Sequence, residues 1–280
     1  MEFIEIIKAI ILGIIEGITE WLPVSSTGHM ILVDEFLQLN MSPAFKEMFF
    51  VVIQLGAIMA VVVLYWKKIF PFSFKKKPFV QKSIIIMWIK VIIACLPAAV
   101  IGLLFDDKVN ELFYNFQTVA IMLILFGIFF IVVENYNKGK NPIANDMDQL
   151  TFKMAIIIGL FQVIAAVFPG TSRSGATIVG ALILGISRTV AAEYTFFLAV
   201  PVMFGASLLK GVKFLMHNSM TSMECTILIV GMVVAFVVSL VVIKFLMGYI
   251  KKHDFKVFGW YRIVLGIIVL ICGFAGVIGA

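Results

Sequence analysis

The stretch "EGITEWLPVSSTGHM", Glu16 to Met30, sets two carboxylates, a Ser-Ser-Thr run and a histidine into an otherwise apolar background. A charged side chain at bilayer depth costs roughly 2.5–3.5 kcal/mol on insertion scales, so these residues need a structural setting that offsets it. Residues 5–22 read as a helix, and Pro23 stops it. The hydroxyl and glycine string then restarts a helix by N-capping, but residues 30–38 are too few to cross a bilayer. The segment 5–38 is therefore predicted to be a re-entrant helical hairpin, a shape tolerated at membrane depth only when buried in protein or lining a wet cavity.

The rest of the chain supports a membrane setting. Of its 280 residues, 62% are hydrophobic and 14% charged, well short of the roughly 25% charged residues of soluble domains. Apolar runs such as "TILIVGMVVAFVVSLVVIKFLM" are several times longer than a strand. The net charge of +6 does not indicate nucleic acid, because the lysines cluster in short loops beside apolar spans, as the positive-inside rule requires. Cys95, Cys225 and Cys272 form no CxxC pair and read as packing residues. The start "MEFIEIIKAIILGIIEG" carries acidic residues where a signal peptide has basic ones, so this segment is expected to be retained.

An internal repeat fixes the architecture. "GIIEGITEWLPVSST" (Gly13–Thr27) aligns with "GLFQVIAAVFPGTSR" (Gly159–Arg173) at an offset of 159 − 13 = 146, which matches Pro23 with Pro169 and Ser26 with Ser172. Glu47 and Glu193 match at the same offset. The second half thus has its own broken segment, 152–186, with the tip "FPGTSRSGATIVGALILG". Three full spans follow each hairpin, at about 46–66, 84–104 and 117–134, then about 190–212, 226–248 and 258–278. Three is odd, so the second half enters the membrane inverted. The predicted fold is an all-α polytopic membrane protein with an inverted-topology repeat: two re-entrant hairpins plus about six full transmembrane helices, in one domain whose repeats run about 5–135 and 152–280.

Lysine placement orients it. Lys67, Lys68, Lys75, Lys76, Lys77 and Lys82 crowd one loop, and Lys138, Lys140, Lys153, Lys251, Lys252 and Lys256 fall on the same side by parity. That side is expected to be cytoplasmic. The loops holding "FDDKVNELF" and "MHNSMTSME" fall outside. The first hairpin then enters from outside and the second from the cytoplasm, so that their polar tips meet near the midplane.

The tips carry complementary chemistry. Glu16 and Glu20 lie at i and i+4 on one helical face, with Ser25, Ser26, Thr27 and His29 at the break. Two carboxylates so placed repel unless a cation or proton sits between them. The second tip offers Thr171, Ser172, Arg173 and Ser174 between Gly170 and Gly175. A glycine-flanked helix start presents free N–H groups and the positive end of a dipole, and arginine adds a fork that matches phosphate oxygens. No GK[ST] follows, so this is no Walker loop. A phosphate cradle facing two carboxylates implies a divalent cation, since Mg²⁺ takes one or two carboxylates plus phosphate oxygens. A serine beside a histidine, with glutamate at hand, is the layout of a nucleophile and its base. Spacing leaves Ser25, Ser26, Thr27 and direct attack by His29 open.

Plainer readings stand beside these. Any one of the hydroxyls can simply bond its own backbone, and Arg173 can serve as a counter-ion for Glu16 or Glu20. Glu47 and Glu193, at span starts, read as interfacial groups or dipole partners. His217 and His253 read as solvated. Arg262, near the start of the last span, reads as a side chain snorkelling to the interface.

The segments "EGITEWLPVSSTGH" and "PGTSRSGAT" resemble the two signature segments of the bacterial undecaprenyl-diphosphate phosphatases of the bacitracin-resistance type. The resemblance extends over essentially the whole chain, with no departure at the key positions. It implies an integral membrane phosphatase that converts a polyprenyl diphosphate lipid, undecaprenyl diphosphate, to its monophosphate, so recycling the carrier of cell-wall synthesis. It further implies a bacterial plasma-membrane location, an active site facing the extracytoplasmic side, a divalent metal (Mg²⁺ or Ca²⁺) and bacitracin resistance on overproduction. Carried onto this chain, Glu16 and Glu20 match the acidic pair that holds metal or activates the nucleophile. Ser26 matches the favoured nucleophile, with His29 its base or itself the nucleophile. Arg173 matches the diphosphate-gripping residue, assisted by Ser25, Thr27, Gly170, Thr171, Ser172 and Ser174. The rival class is a transporter or lipid-carrier flippase using the same midplane cavity. Besides substrate and membrane lipids, a homodimer stays open as a partner, and nucleic acid does not.

Overall fold

The computed structural model describes residues 2–73 and 78–278; Lys75, Lys76 and Lys77 of the predicted cytoplasmic cluster lie outside them. Among the described residues regular structure is helical, apart from two isolated bridges, Phe72 with Val80 and Ala144 with Ile186. The first half comprises α1 (Glu2–Thr19), α2 (Ser26–Phe36), α3 (Pro43–Val52), α4 (Gln54–Ile69), α5 (Lys82–Phe113) and α6 (Phe116–Asn137). After a short 3₁₀ turn (Met147–Gln149) come α7 (Phe152–Val167), α8 (Arg173–Ile183), α9 (Arg188–His217), α10 (Ser222–Ile250) and α11 (Lys256–Phe274). Side chains mark the starts: Ser42, Asn115, Thr151 and Ser187 each accept a backbone N–H three residues on, and Thr221 with Glu224 forms a capping box.

Among the described residues, six segments are long and apolar enough to cross a membrane: Pro43–Ile69, Lys82–Phe105, Phe116–Asn137, Arg188–His217, Ser222–Ile250 and Lys256–Phe274. The protein is a multi-pass membrane protein. Helix α10 shows how such a span sorts its faces. Ile229, Val233, Val237, Val241 and Phe245 are exposed at every fourth position, while Ile227, Gly231, Ala235, Ser239 and Ile243 are buried in the same rhythm. The apolar outer stripe faces lipid, where a soluble helix would be polar.

Two details depart from the sequence reading. The span predicted at about 46–66 is two helices, α3 and α4, meeting at Ile53. "FDDKVNELF" is not a loop but the end of α5.

Packing follows a rule of exchange between halves. Helix α1 packs on α10 and α7 on α5; α4 packs on α10 and α9 on α5; α2 touches α11 and α8 touches α6. Helices α6 and α11 pair with each other, and α4 pairs with α9. The α6–α11 crossing is close because Gly127 and Gly259 face one another: a Cβ on either would stand 2.7 Å from the other's carbonyl oxygen. Ion pairs also exchange. Lys68 of the first half binds Glu193 of the second at 2.8 Å, and Lys210 of the second binds Glu47 of the first. Both glutamates are thus partners of lysines across the halves, a role that the sequence reading as interfacial or dipole groups did not include.

Candidate functional site

The broken segments bring the polar residues together. Helix α1 runs into a turn before Pro23, with Glu20 N–H still donating to Glu16 O at 3.0 Å. That register keeps Glu16 and Glu20 on one face, and both are buried. Helix α2 then restarts at Ser25, and α8 restarts in the same manner at Ser172. Ser25 (φ 75°) and Ser172 (φ 67°) are the two non-glycine residues with positive φ among the described residues. Each side chain accepts the N–H three residues ahead, from Gly28 at 3.3 Å and Gly175 at 3.1 Å. A left-handed serine costs about 1–3 kcal/mol and persists where surrounding structure imposes it, commonly at functional sites.

These caps correct the repeat register. The structurally matched caps are Ser25 and Ser172, an offset of 172 − 25 = 147 rather than 146. Ser172 is thus the counterpart of Ser25, and Ser26 has Arg173 as its counterpart, each at the first position of its helix. The second tip holds one extra residue, accommodated at Gly170, whose φ of 89° and close approach to the Val119 backbone leave no room for a side chain.

The two tips meet at Glu20. Arg173 Nη2 donates to Glu20 Oε1 at 2.7 Å, and Ser26 Oγ donates to Glu20 Oε2 at 3.3 Å. Ser174 Oγ donates to the Glu20 backbone carbonyl at 3.3 Å and lies 3.1 Å from Ser172 Oγ. Arg173 is further held by Nη1 donating to Thr195 O at 3.1 Å; the Thr195 hydroxyl pairs with that of Thr177 at 2.9 Å. In this geometry Arg173 is the counter-ion of Glu20.

His29 is placed differently. Its Nδ1–H donates to Ser25 O at 2.7 Å, which in the neutral ring leaves Nε2 as acceptor for the Tyr261 hydroxyl, also at 2.7 Å. The ring lies nearly parallel to that of Tyr261. Among the described residues His29 makes no hydrogen bond to Ser26, so the hydroxyl's acceptor here is Glu20 rather than the histidine. Thr27 has no hydrogen bond through its hydroxyl among the described residues, and Thr171 Oγ1 is buried and unpartnered.

Glu16 Oε1 is likewise buried without a partner, as are both polar atoms of its counterpart Gln162. No group of three or more His, Cys, Asp or Glu gathers to hold a metal among the described residues. An orphaned carboxylate oxygen one turn from a second carboxylate still fits Mg²⁺, which takes few protein ligands and completes its shell with phosphate and water.

Sequence reading missed Tyr261, Thr177 and Thr195 and gave Arg262 another role. Arg262 does not snorkel: it is fully buried, and Nη1 and Nη2 donate to backbone carbonyls of both tips, Pro23, Gly170 and Thr171. Thr177 and Thr195 gave no signal beyond ordinary helical threonines. A cavity of about 320 Å³ lies apart from this site, lined among others by Lys67, Lys68, Asp146, Asp148 and Glu193 and by no tip residue.

A family model described as bacitracin resistance protein BacA matches residues 9–268. The chain is 69% identical over 271 residues to a Desulfitobacterium hafniense protein named undecaprenyl-diphosphatase, covering 97% of each. It is 65% identical over 271 residues to undecaprenyl-diphosphatase 1 of Clostridium acetobutylicum, covering 97% of this chain and 98% of that protein. An Enterococcus faecalis undecaprenyl-diphosphatase is 60% identical over 273 residues, with 97% and 98% covered.

Proposed function

The chain belongs to the family of the bacitracin resistance protein BacA, and we infer from that membership and from the site that it is an undecaprenyl-diphosphatase, a membrane hydrolase that converts undecaprenyl diphosphate to undecaprenyl phosphate and inorganic phosphate. The observation that carries the chemistry is the single carboxylate, Glu20, shared by Ser26 from one tip and Arg173 from the other.

The chain's own residues divide the work as follows. The polyprenyl tail lies along apolar grooves between spans while the diphosphate reaches the tips. Arg173 leaves Glu20 for the terminal phosphoryl group, where its planar fork matches two oxygens. The α8 N-terminus adds free N–H groups: those of Ser172, Arg173 and Ser174 have no acceptor among the described residues, while Gly175 N–H is capped by Ser172. Release of Arg173 frees Glu20 to accept the Ser26 proton. Ser26 Oγ then attacks the terminal phosphorus as its bond to the bridging oxygen breaks, and undecaprenyl phosphate departs. Water next hydrolyses the phosphoserine. The competing route is attack through Nε2 of His29, which requires Tyr261 to give up its hydrogen bond. In phosphoryl transfer most of the catalytic effect comes from positioning and charge stabilisation, and the two tips supply both.

Glu16 and Glu20 would hold a divalent cation, Mg²⁺ or Ca²⁺, which when bound neutralises charge on the phosphoryl oxygens. The orphaned Glu16 Oε1 supports this assignment. The family resemblance implies a plasma-membrane location with the site opening to the extracytoplasmic side; the lysine distribution supports only the orientation of the loops, with Lys67, Lys68, Lys138, Lys140, Lys251 and Lys252 assigned to the cytoplasmic face. The pattern of exchanged helix contacts supports a duplicated, inverted plan with two re-entrant segments.

The test is product analysis with purified protein in detergent. Undecaprenyl diphosphate with Mg²⁺ should yield undecaprenyl phosphate and orthophosphate in equal amounts. Lipid binding or transfer without released phosphate would assign the cavity to transport instead.

A further inference from the structure

Arg262, on α11, is fully buried, and every hydrogen bond it makes goes to a backbone carbonyl. Nη1 donates to Pro23 O at 3.2 Å; Nη2 donates to Thr171 O at 2.7 Å, Gly170 O at 3.0 Å and, more weakly, Met122 O at 3.4 Å. One guanidinium therefore holds the first tip, the second tip and α6. Its Nε has no partner, and its only aromatic neighbour of note is Phe126, 5.9 Å from Cζ. The chain's other two arginines have carboxylates, Arg173 with Glu20 at the site and Arg188 with Glu134 at the start of α9. A buried guanidinium without a carboxylate is costly and needs a reason.

The carbonyls it selects supply one. In a trans peptide plane the C=O and the following N–H point in opposite directions. Carbonyls of Gly170 and Thr171 turned onto Arg262 thus turn the next N–H groups away from it. Thr171 N–H is bonded locally to Phe168 O, but Ser172 N–H has no acceptor, and with those of Arg173 and Ser174 it forms a run of three free donors. Such a run is an anion-binding concavity. The guanidinium also lies close behind the helix start, since a Cβ on Gly175 would stand 3.0 Å from Nη1. With Arg173 matched by Glu20, Arg262 brings to the tips a positive charge that pairs with no acidic side chain among the described residues, and an anionic substrate is its complement.

We propose that Arg262 is a positioning residue for the phosphoryl group: by holding the Gly170 and Thr171 carbonyls behind the second tip, and the Pro23 carbonyl of the first, it turns the free Ser172 N–H toward the site beside those of Arg173 and Ser174, which the start of α8 orients, and keeps both tips in register. The proposal rests on the phosphatase reading. A lysine at this position keeps the charge but presents its donors from a single point and cannot serve both tips.

The experiment is inhibition of phosphate release by orthovanadate, with R262K and wild type compared as monodisperse protein. An inhibition constant does not depend on the active fraction, so general loss of folded enzyme leaves it unchanged. The expected result is that R262K raises the orthovanadate Ki about tenfold or more and lowers kcat by roughly 100-fold, the effect of losing a preorganised anion donor. If R262K does not yield monodisperse protein, R262Q, which keeps a planar hydrogen-bonding head, takes its place with the same expected direction. A Ki within about twofold of wild type, whatever happens to kcat, overturns the proposal. Failure of both variants to fold also overturns it, because Arg262 then belongs to the fold rather than to the anion site. Absence of phosphate release by the wild type is a separate result that counts against the phosphatase reading and not against Arg262.

Discussion

Arg173 and Glu20 are 153 residues apart in sequence and joined at 2.7 Å, with each side chain about 10–13% exposed. The pair closes the gap between the two halves of the chain. A buried pair of this kind is held by geometry on both sides, and losing one member leaves the other charge uncompensated. Glu20→Gln keeps the shape and removes the charge. We expect kcat to fall roughly 100-fold or more, because Ser26 loses its proton acceptor. Steady-state phosphate release checks this; a rate within a few-fold of wild type would show that Ser26 needs no help from Glu20.

The proposed divalent cation rests on the unpartnered Glu16 Oε1 and is open to direct test. Chelation should bring phosphate release to background, and added Mg²⁺ or Ca²⁺ should restore it. Glu16→Gln should raise the Mg²⁺ concentration for half-maximal activity by about tenfold, since one of at most two carboxylate ligands is lost. An unaltered Mg²⁺ titration in Glu16→Gln would remove Glu16 from the metal site.

Tyr261 holds His29 through a 2.7 Å hydrogen bond to Nε2. Tyr261→Phe keeps the ring and deletes that bond, which is worth about 0.5–1.5 kcal/mol. Because Ser26 hands its proton to Glu20, kcat should stay within about twofold of wild type and the lost bond should show as a small drop in thermal stability; a marked rise in kcat would favour attack through His29. Histidine ¹⁵N spectra, simplified by the presence of only three histidines, should show His29 changing its tautomer balance. Unchanged spectra would mean that the Ser25 carbonyl alone fixes the ring.

The α6–α11 crossing predicts a stability contrast. Gly127→Ala places a methyl 2.7 Å from the Gly259 carbonyl, whereas a Cβ on Gly248 meets nothing within 4 Å. Overpacking costs about 1–3 kcal/mol, so Gly127→Ala should lower the unfolding temperature by about 2–10 °C. Gly248→Ala should be neutral or slightly stabilising. Equal behaviour of the two would mean that the crossing relaxes without cost.

The parts of this molecule that were readable in the sequence are those whose side chains carry the signal. Pro23 and Pro169, each followed by a hydroxyl run, mark the breaks where α1 and α7 end, and the apolar runs mark the spans. Buried Glu16, Glu20 and Arg173 stood out because nothing else in their surroundings is charged. Arg262 was misread for the converse reason. Its partners are main-chain carbonyls, which leave no trace in side-chain pattern, and an arginine near a span end is ordinarily interfacial. The one-residue slip between 146 and 147 was hidden because both tips contain consecutive hydroxyl residues, and only backbone angles show which serine is the cap. The α3–α4 break at Ile53 has no proline, and Gln54 and Gly56 beside it sit inside a long apolar run where neither by itself signals a break. The Tyr261–His29 contact spans 232 residues, a distance over which a single sequence holds no pairing information.

The central claim is that one phosphatase site is assembled from both tips. It is tested most directly by phosphate release from undecaprenyl diphosphate by wild type, Ser26→Ala and Arg173→Ala, each verified as monodisperse. Wild type should release phosphate and each variant should lose about 100-fold or more, although the two residues come from opposite halves of the chain. Activity within a few-fold of wild type in either variant would contradict a site shared between the tips.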